Sequence, residues 1–160
     1  MDGTAQIIVA AEVTQEANDK RQLVPMLTQV ATNVGAAPAV ALADSGYFSE
    51  AAVTDAALAA VDLYVAVDRQ PHGEAPAPFV RDDGTVIGGM RAKVASDAGQ
   101  AIYALRKTII EPVFGQIKGP RGFRRFSFRG LGKVQAEWLL ICLTHNLLKL
   151  FRAGWTPLVA

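Results

Sequence analysis

The run Gln6 to Thr14 constrains the fold more than any other stretch of the chain. It is nearly unbroken in apolar character and rich in β-branched residues. Such a run reads as a strand buried in a sheet rather than as one face of a helix. A second run, Ala37 to Leu42, leads into Asp44-Ser45-Gly46-Tyr47, and Leu63 to Val67 reads as a third, shorter strand. Between the first two, Asn18 or Asp19 can cap a helix in which Leu23, Met26, Leu27 and Val30 recur at helical spacing. Pro25 must sit near its first turn or kink it, and Gly35 closes it. Ser49 can cap a short helix through Leu58.

The pattern changes after Leu63 to Val67. From residue 68 to 93 no stable period survives, and the stretch reads as an inserted loop, with Asp83-Gly84 turning a small hairpin between Phe79-Val80 and Val86-Ile87. Ile102, Leu105, Ile109, Val113 and Ile117 then keep one helical face apolar, giving a long helix through Lys118. Gly119 to Gly122 must turn the chain. A final helix from about Lys133 to Arg152 is apolar on most sides and is expected to be buried. Strands alternating with helices give an α/β domain over residues 1–152, with extra helices at its C-terminal end and a tail over 153–160.

Composition narrows the class. The 160 residues amount to about one domain, and the single Cys142 cannot form an internal disulfide, as suits a reducing cytoplasm. The longest strongly apolar stretch, Trp138 to Leu143, is far short of the roughly 20 residues of a bilayer span. No secretory signal pattern is present, and a soluble protein is expected. The net charge of +1 conceals a division. Residues 1–105 carry 6 Lys/Arg against 13 Asp/Glu, whereas residues 106–160 carry 10 against 2. Eight of those ten bases fall between Arg106 and Lys133, where Glu111 is the only acid. A polyanionic partner and a merely solvated basic face both fit this asymmetry.

Few residues can carry chemistry. Asp44 stands where a strand ends, the place at which ligands gather in open α/β sheets, and it can hold a metal or cap the following turn. Glu111 shares a helix face with Lys107, Phe114 and Lys118. That array suits a metal beside a phosphate backbone, or else is an ordinary Lys–Glu pair. Lys118 to Arg129 interleaves five bases, Lys118, Arg121, Arg124, Arg125 and Arg129, with three phenylalanines. Bases neutralise phosphates while aromatics stack on nucleobases or anchor the loop. His145 reads as a packed core residue, with Glu137 two turns before it as a contact or a spare acid, and His72 has no obvious partner. No Cys/His cluster has zinc spacing, and there is no Gly-rich phosphate loop.

These signals stand in a familiar order. Ile8 to Thr14, Leu42-Ala-Asp44-Ser-Gly-Tyr-Phe48, Tyr103 to Lys118, Phe123 to Phe126 with Arg129-Gly130, and Leu143-Thr-His-Asn-Leu-Leu-Lys149 together resemble the DDE transposase domain of bacterial insertion sequences. That domain falls within the RNase H-like, retroviral-integrase superfamily. The resemblance covers most of residues 6–152 and includes a Tyr–Arg–Glu–Lys signature at Tyr103, Arg106, Glu111 and Lys118. One extra residue between Arg106 and Glu111 makes Lys107 an alternative for the arginine.

The resemblance implies an RNase H-like mixed sheet, with Asp44 as the second acid of the site and Glu111 as the third. Two Mg²⁺ (or Mn²⁺) ions and DNA, as transposon ends and target, would be the cofactor and partner. Two hard cations about 3.5–4 Å apart stabilise the attacking and leaving oxygens of an in-line displacement at phosphorus. Tyr103, Arg106 and Lys118 would orient the DNA end.

The family's first aspartate lies on an opening strand. Here Asp2-Gly-Thr4 comes only two residues before the run at Gln6, so Asp2 is expected to be a coincidence and the first strand to be lacking. The missing N-terminal part would then come from another chain, and this chain alone would not cleave DNA. A non-catalytic DNA-binding remnant and a nuclease of the same fold are the alternatives.

Overall fold

A computed structural model describes residues 1–68 and 82–154. These form two compact units, one of residues 1–15 and 107–160, the other of residues 16–106. One domain over 1–152 was expected from the sequence. The expected hairpin strand at Phe79-Val80 and His72 lie outside the described residues.

The unit of residues 16–106 holds the sheet. Its first helix, α1, is Leu23–Val34, with Pro25 in the first turn, where the missing N–H costs nothing. Gly35 ends it in the left-handed region at φ 83°, donating its N–H to Ala31 O. Strand β1, Val40–Ala43, pairs in parallel with β2, Asp62–Val65, in the register Val40 to Asp62 and Ala43 to Val65. Among the described residues the sheet of this α/β unit has two strands, paired in parallel, with helices beside them.

Between the strands run a 3₁₀ turn at Ser45–Tyr47, the short helix α2 (Glu50–Val53) and a second 3₁₀ turn at Ala56–Leu58. Ser49 caps α2, accepting from Ala52 N, and Asp55 caps the turn after it. One helix through Leu58 was expected, but Asp55 restarts the chain. The core packs Leu23, Phe48, Ala52, Leu58, Val61, Leu63 and Val65 together.

The loop expected through residue 93 is in part a helix, α3, Val86–Ala95. Asp83-Gly84 turns no hairpin. Asp83 instead accepts from Thr85 N and Thr85 Oγ1, and Thr85 caps α3 through Gly88 N. Ile87 and Met90 pack on the sheet core. Lys93 of α3 pairs with Asp62 and lies over the Tyr64 ring. Ser96 then closes α3 and opens α4, Asp97–Lys118, by accepting from Gly99 N at 3.0 Å.

The unit of residues 1–15 and 107–160 contains the second half of α4 and all of α5, Leu131–Arg152. Val113 and Ile117 of α4 are fully buried against Ile141 and Cys142 of α5, with Ile8 and Ala11 in the same cluster. The expected strand Gln6 to Thr14 is absent as a strand. It runs without regular structure along α5, whose side-chain amides stand in for a neighbouring strand. Asn146 accepts from Ile8 N at 2.8 Å and donates to Ile8 O at 2.9 Å. Gln135 accepts from Val13 N at 2.6 Å and donates to Ala11 O at 3.3 Å. The apolar run is held in place, as its hydrophobicity requires, but by a helix rather than by a β-ladder.

A second correction concerns α5 itself. Of its residues only Ile141, Cys142 and His145 are buried, and six large apolar side chains from Leu139 to Phe151 are exposed.

Candidate functional site

Two groups of polar residues correspond to the expected site, one in each unit.

In the unit of residues 16–106, Asp44 follows the last residue of β1. Its Oδ1 accepts from Gly46 N at 3.0 Å, so the carboxylate caps the 3₁₀ turn as the sequence allowed. Its Oδ2 lies 3.8 Å from a terminal nitrogen of Arg106. The Arg106 guanidinium sits 5.5 Å from the centre of the Tyr103 ring, and its buried Nε has no partner among the described residues. Asp44, Tyr103 and Arg106, three residues named from sequence, are thus brought together at the carboxyl end of a parallel strand.

Tyr47 joins them, and the sequence did not single it out as part of a site. Its phenol pKa is raised by burial first, and then by the nearby negative charges of Asp19 and Asp44. Tyr103 is likewise raised, chiefly by burial, with Arg106 opposing and Asp44 adding. Both phenols therefore stay protonated near neutrality.

In the other unit Glu111 is exposed on α4. It forms no ion pair with Lys107, one turn earlier, so the ordinary Lys–Glu pair weighed from sequence is not made. Lys118 lies 5.4 Å over the Phe114 ring, Phe114 stacks on Trp138 at 6.2 Å, and Phe126 meets Trp138 edge-on at 6.3 Å. These contacts fix the start of the basic segment on α4 and α5.

The segment from Gly119 to Gly130 is shaped by one glycine turn and by the contacts of three side chains. Gly122 turns it at φ 72°. Arg121 is half-buried, contacting Thr144 Oγ1 and the Ile141 carbonyl, so its guanidinium anchors the loop to α5. Arg124 Nε donates to Lys118 O at 3.2 Å and caps α4. Glu137 accepts from Ser127 N at 2.8 and 2.9 Å and from Phe128 N at 3.1 Å. Those donors hold its carboxyl below the usual carboxylate range.

Glu137 therefore clamps the basic loop and does not pair with His145, as the sequence had allowed. Sequence reasoning missed this clamp because it joins residues ten apart across a turn. Arg124, Arg125 and Arg129 remain exposed, with Phe123, Phe126 and Phe128 between them also exposed. Aromatics destined only for the core would not be left in water.

His145 is buried, and its Nε2 meets Gln6 O at 3.2 Å. Its pKa is lowered by burial, against that hydrogen bond, with Lys149 and Arg121 adding to the shift. It is the packed core histidine expected from sequence. Asp2 closes a tight turn, accepting from Ala5 N at 2.6 Å.

Among the described residues no three His, Cys, Asp or Glu side chains come together as a metal site. Asp44 has Arg106 on one oxygen and a backbone N–H on the other, and Glu111 belongs to no group of three potential ligands among the described residues. The residues of neither unit alone fit a two-ion centre.

A family model described as a transposase DDE domain matches residues 86–151. That span covers α3, α4, the basic loop and α5, and it includes Tyr103, Arg106, Lys107, Glu111 and Lys118 but not Asp44. The resemblance to DDE-type transposases holds over this segment. No curated protein and no solved structure matches the chain. Among the described residues no helix is long and apolar enough to cross a membrane.

Proposed function

We propose, from the transposase DDE-domain segment at residues 86–151 as premise, that this chain binds DNA as part of a transposition enzyme. The observation that carries the reading is the loop from Lys118 to Arg129 inside that segment. There Arg124, Arg125 and Arg129 stand in water beside three exposed phenylalanines. Exposed guanidinium groups neutralise phosphates, and open aromatic faces stack on unpaired bases at a DNA end. Arg121 and Glu137 supply the loop's shape rather than its affinity. Tyr103, Arg106, Lys107 and Lys118 are assigned to the same DNA. Arg106 suits that role because Asp44 engages only one end of its five-donor fork.

Asp44 and Glu111 are the carboxylates we assign to the divalent ions that transposase DDE domains use. Those ions would supply Lewis-acid stabilisation of charge at phosphorus. Because the described residues assemble no group of three ligands, strand cleavage and strand transfer are assigned to an assembly with at least one further acid. Arg106 counters the Asp44 charge and holds the carboxylate in position, and the phenols of Tyr47 and Tyr103 stay protonated near it.

The test is the salt dependence of binding to a short duplex with frayed ends. Each phosphate contact contributes about 0.9 to the slope of log affinity against log salt. Replacing Arg125 and Arg129 together by alanine is expected to lower that slope by nearly 2. An unchanged slope would remove the loop from the DNA surface. That the described residues hold no three-ligand group favours one secondary reading, a DNA-binding chain without cleavage of its own. Nicking of DNA by the isolated chain with Mg²⁺, abolished in Asp44→Ala, would rule that reading out.

A further inference from the structure

The side of α5 turned away from its core carries no charge for nearly five turns. Its exposed members from Ala136 to Phe151 are Ala136, Leu139, Leu140, Leu143, Leu147, Leu150 and Phe151, and Arg152 ends the helix. Leu140 is 59% exposed and Phe151 78%. The opposite side already buries Ile141, Cys142 and His145, so the leucines are not a frayed edge of that core. They form a second apolar stripe on a helix whose polar side chains Gln135, Glu137 and Asn146 bond to the loop and N-terminal run of their own unit.

Their spacing identifies the kind of surface that fits. Ala136, Leu140, Leu143, Leu147 and Leu150 are separated by four, three, four and three residues, the seam of a helix pair. A flat sheet edge or a small ligand would not call for that alternation. The six large side chains from Leu139 to Phe151 are 36–78% exposed, leaving on the order of 600 Å² of apolar surface per chain. Burying that area on both partners removes about 1,200 Å², the lower end of what a stable complex needs.

We propose that this stripe is a self-association surface, on which α5 of one chain packs antiparallel on α5 of a second copy. The direction follows from chemistry. In a parallel pair Lys133 would occupy the same seam position in both chains and meet itself, and the two helix dipoles would align unfavourably. An antiparallel pair centred at position 145 sets Leu140 against Leu150 of the copy, Leu143 against Leu147, and Leu139 against Phe151. Every large apolar residue of the stripe then meets another, and Lys133 lies beyond the apolar layers. The arrangement is isologous, so one surface suffices for both partners. It does not rest on the DNA reading, since the basic loop and the stripe use different side chains.

The experiment is sedimentation equilibrium on the full chain at concentrations up to about 200 µM, a range that captures weak dimers. The expected result is a mass rising towards twice the 17.0 kDa of one chain. The double variant Leu143→Glu/Leu147→Glu is expected to stay at the single-chain mass with an unchanged helical circular dichroism signal. Cross-linking keeps the proposal testable if that variant misfolds. In a Cys142→Ala background, Leu143→Cys and Leu147→Cys chains are mixed and oxidised. They should yield the mixed disulfide dimer in clear excess over either self-linked species.

A single-chain mass throughout the concentration range would overturn the proposal and leave the stripe to a partner of different sequence. A dimer that survives Leu143→Glu/Leu147→Glu, or cross-linking without the mixed preference, would equally overturn it.

Discussion

Asn146 offers the sharpest test of how the N-terminal run is held. Its amide accepts from Ile8 N at 2.8 Å and donates to Ile8 O at 2.9 Å, and Ile8 is only 7% exposed. Replacing it by alanine removes both bonds and strands a donor and an acceptor away from water. Each lost bond is worth about 1 kcal/mol net, and a buried group left without a partner costs about 1–3 kcal/mol. The expected loss for Asn146→Ala is therefore about 2–4 kcal/mol.

Asn146→Asp separates the two bonds. The aspartate still accepts from Ile8 N but cannot donate to Ile8 O, and its charge faces that carbonyl, so it should not restore stability. Urea unfolding gives the global loss. Native-state hydrogen exchange at the Ile8 amide gives the local one, with protection falling by roughly 30- to 900-fold for that energy. A loss under about 0.5 kcal/mol for Asn146→Ala, with Ile8 protection intact, would refute the view that helix side chains replace a β-ladder here.

Three further outcomes follow from particular contacts. His145 has a folded pKa below its unfolded value, so the unfolded chain takes up the proton first as pH falls. Its contribution is present above about pH 6.5 and is lost on acidification below it, and His145→Gln should flatten that part of a stability–pH profile. At Gly99 a Cβ would stand 1.9 Å from the Lys93 carbonyl oxygen, so Gly99→Ala must shift backbone at the α3–α4 junction and lower the melting temperature. Gly99→Ala melting as the natural chain does would mean the junction is looser than described. Cys142 is buried, and burial pushes its thiol up to about 11. Iodoacetamide at pH 8 should therefore label the native protein far more slowly than the urea-unfolded chain, and equal rates would contradict its burial.

Much of the local structure was legible in the residues. Gly35 ended α1 because its left-handed conformation is one that glycine adopts freely, and Ser49 capped α2 through the bond its hydroxyl was suited to make. The long helix through Lys118 and the turn at Gly122 followed from apolar spacing and from glycine. The helix α3 was missed because Val86 to Ala95 contains two glycines and little periodicity. Its start is set by Thr85 and Asp83, whose bonding depends on the loop's shape.

At the site, sequence named Asp44, Tyr103 and Arg106, but only folding brought Arg106 across to Asp44, sixty-two positions earlier. The hydrophobicity of Gln6 to Thr14 required that it be covered, and the sequence alone established that much. A pattern of burial says nothing of which groups will satisfy the backbone, because ladder carbonyls and helix-borne amides offer the same hydrogen bonds. That choice belonged to Gln135 and Asn146, 11 residues apart on one helix, and only the tertiary structure could place them beside the run.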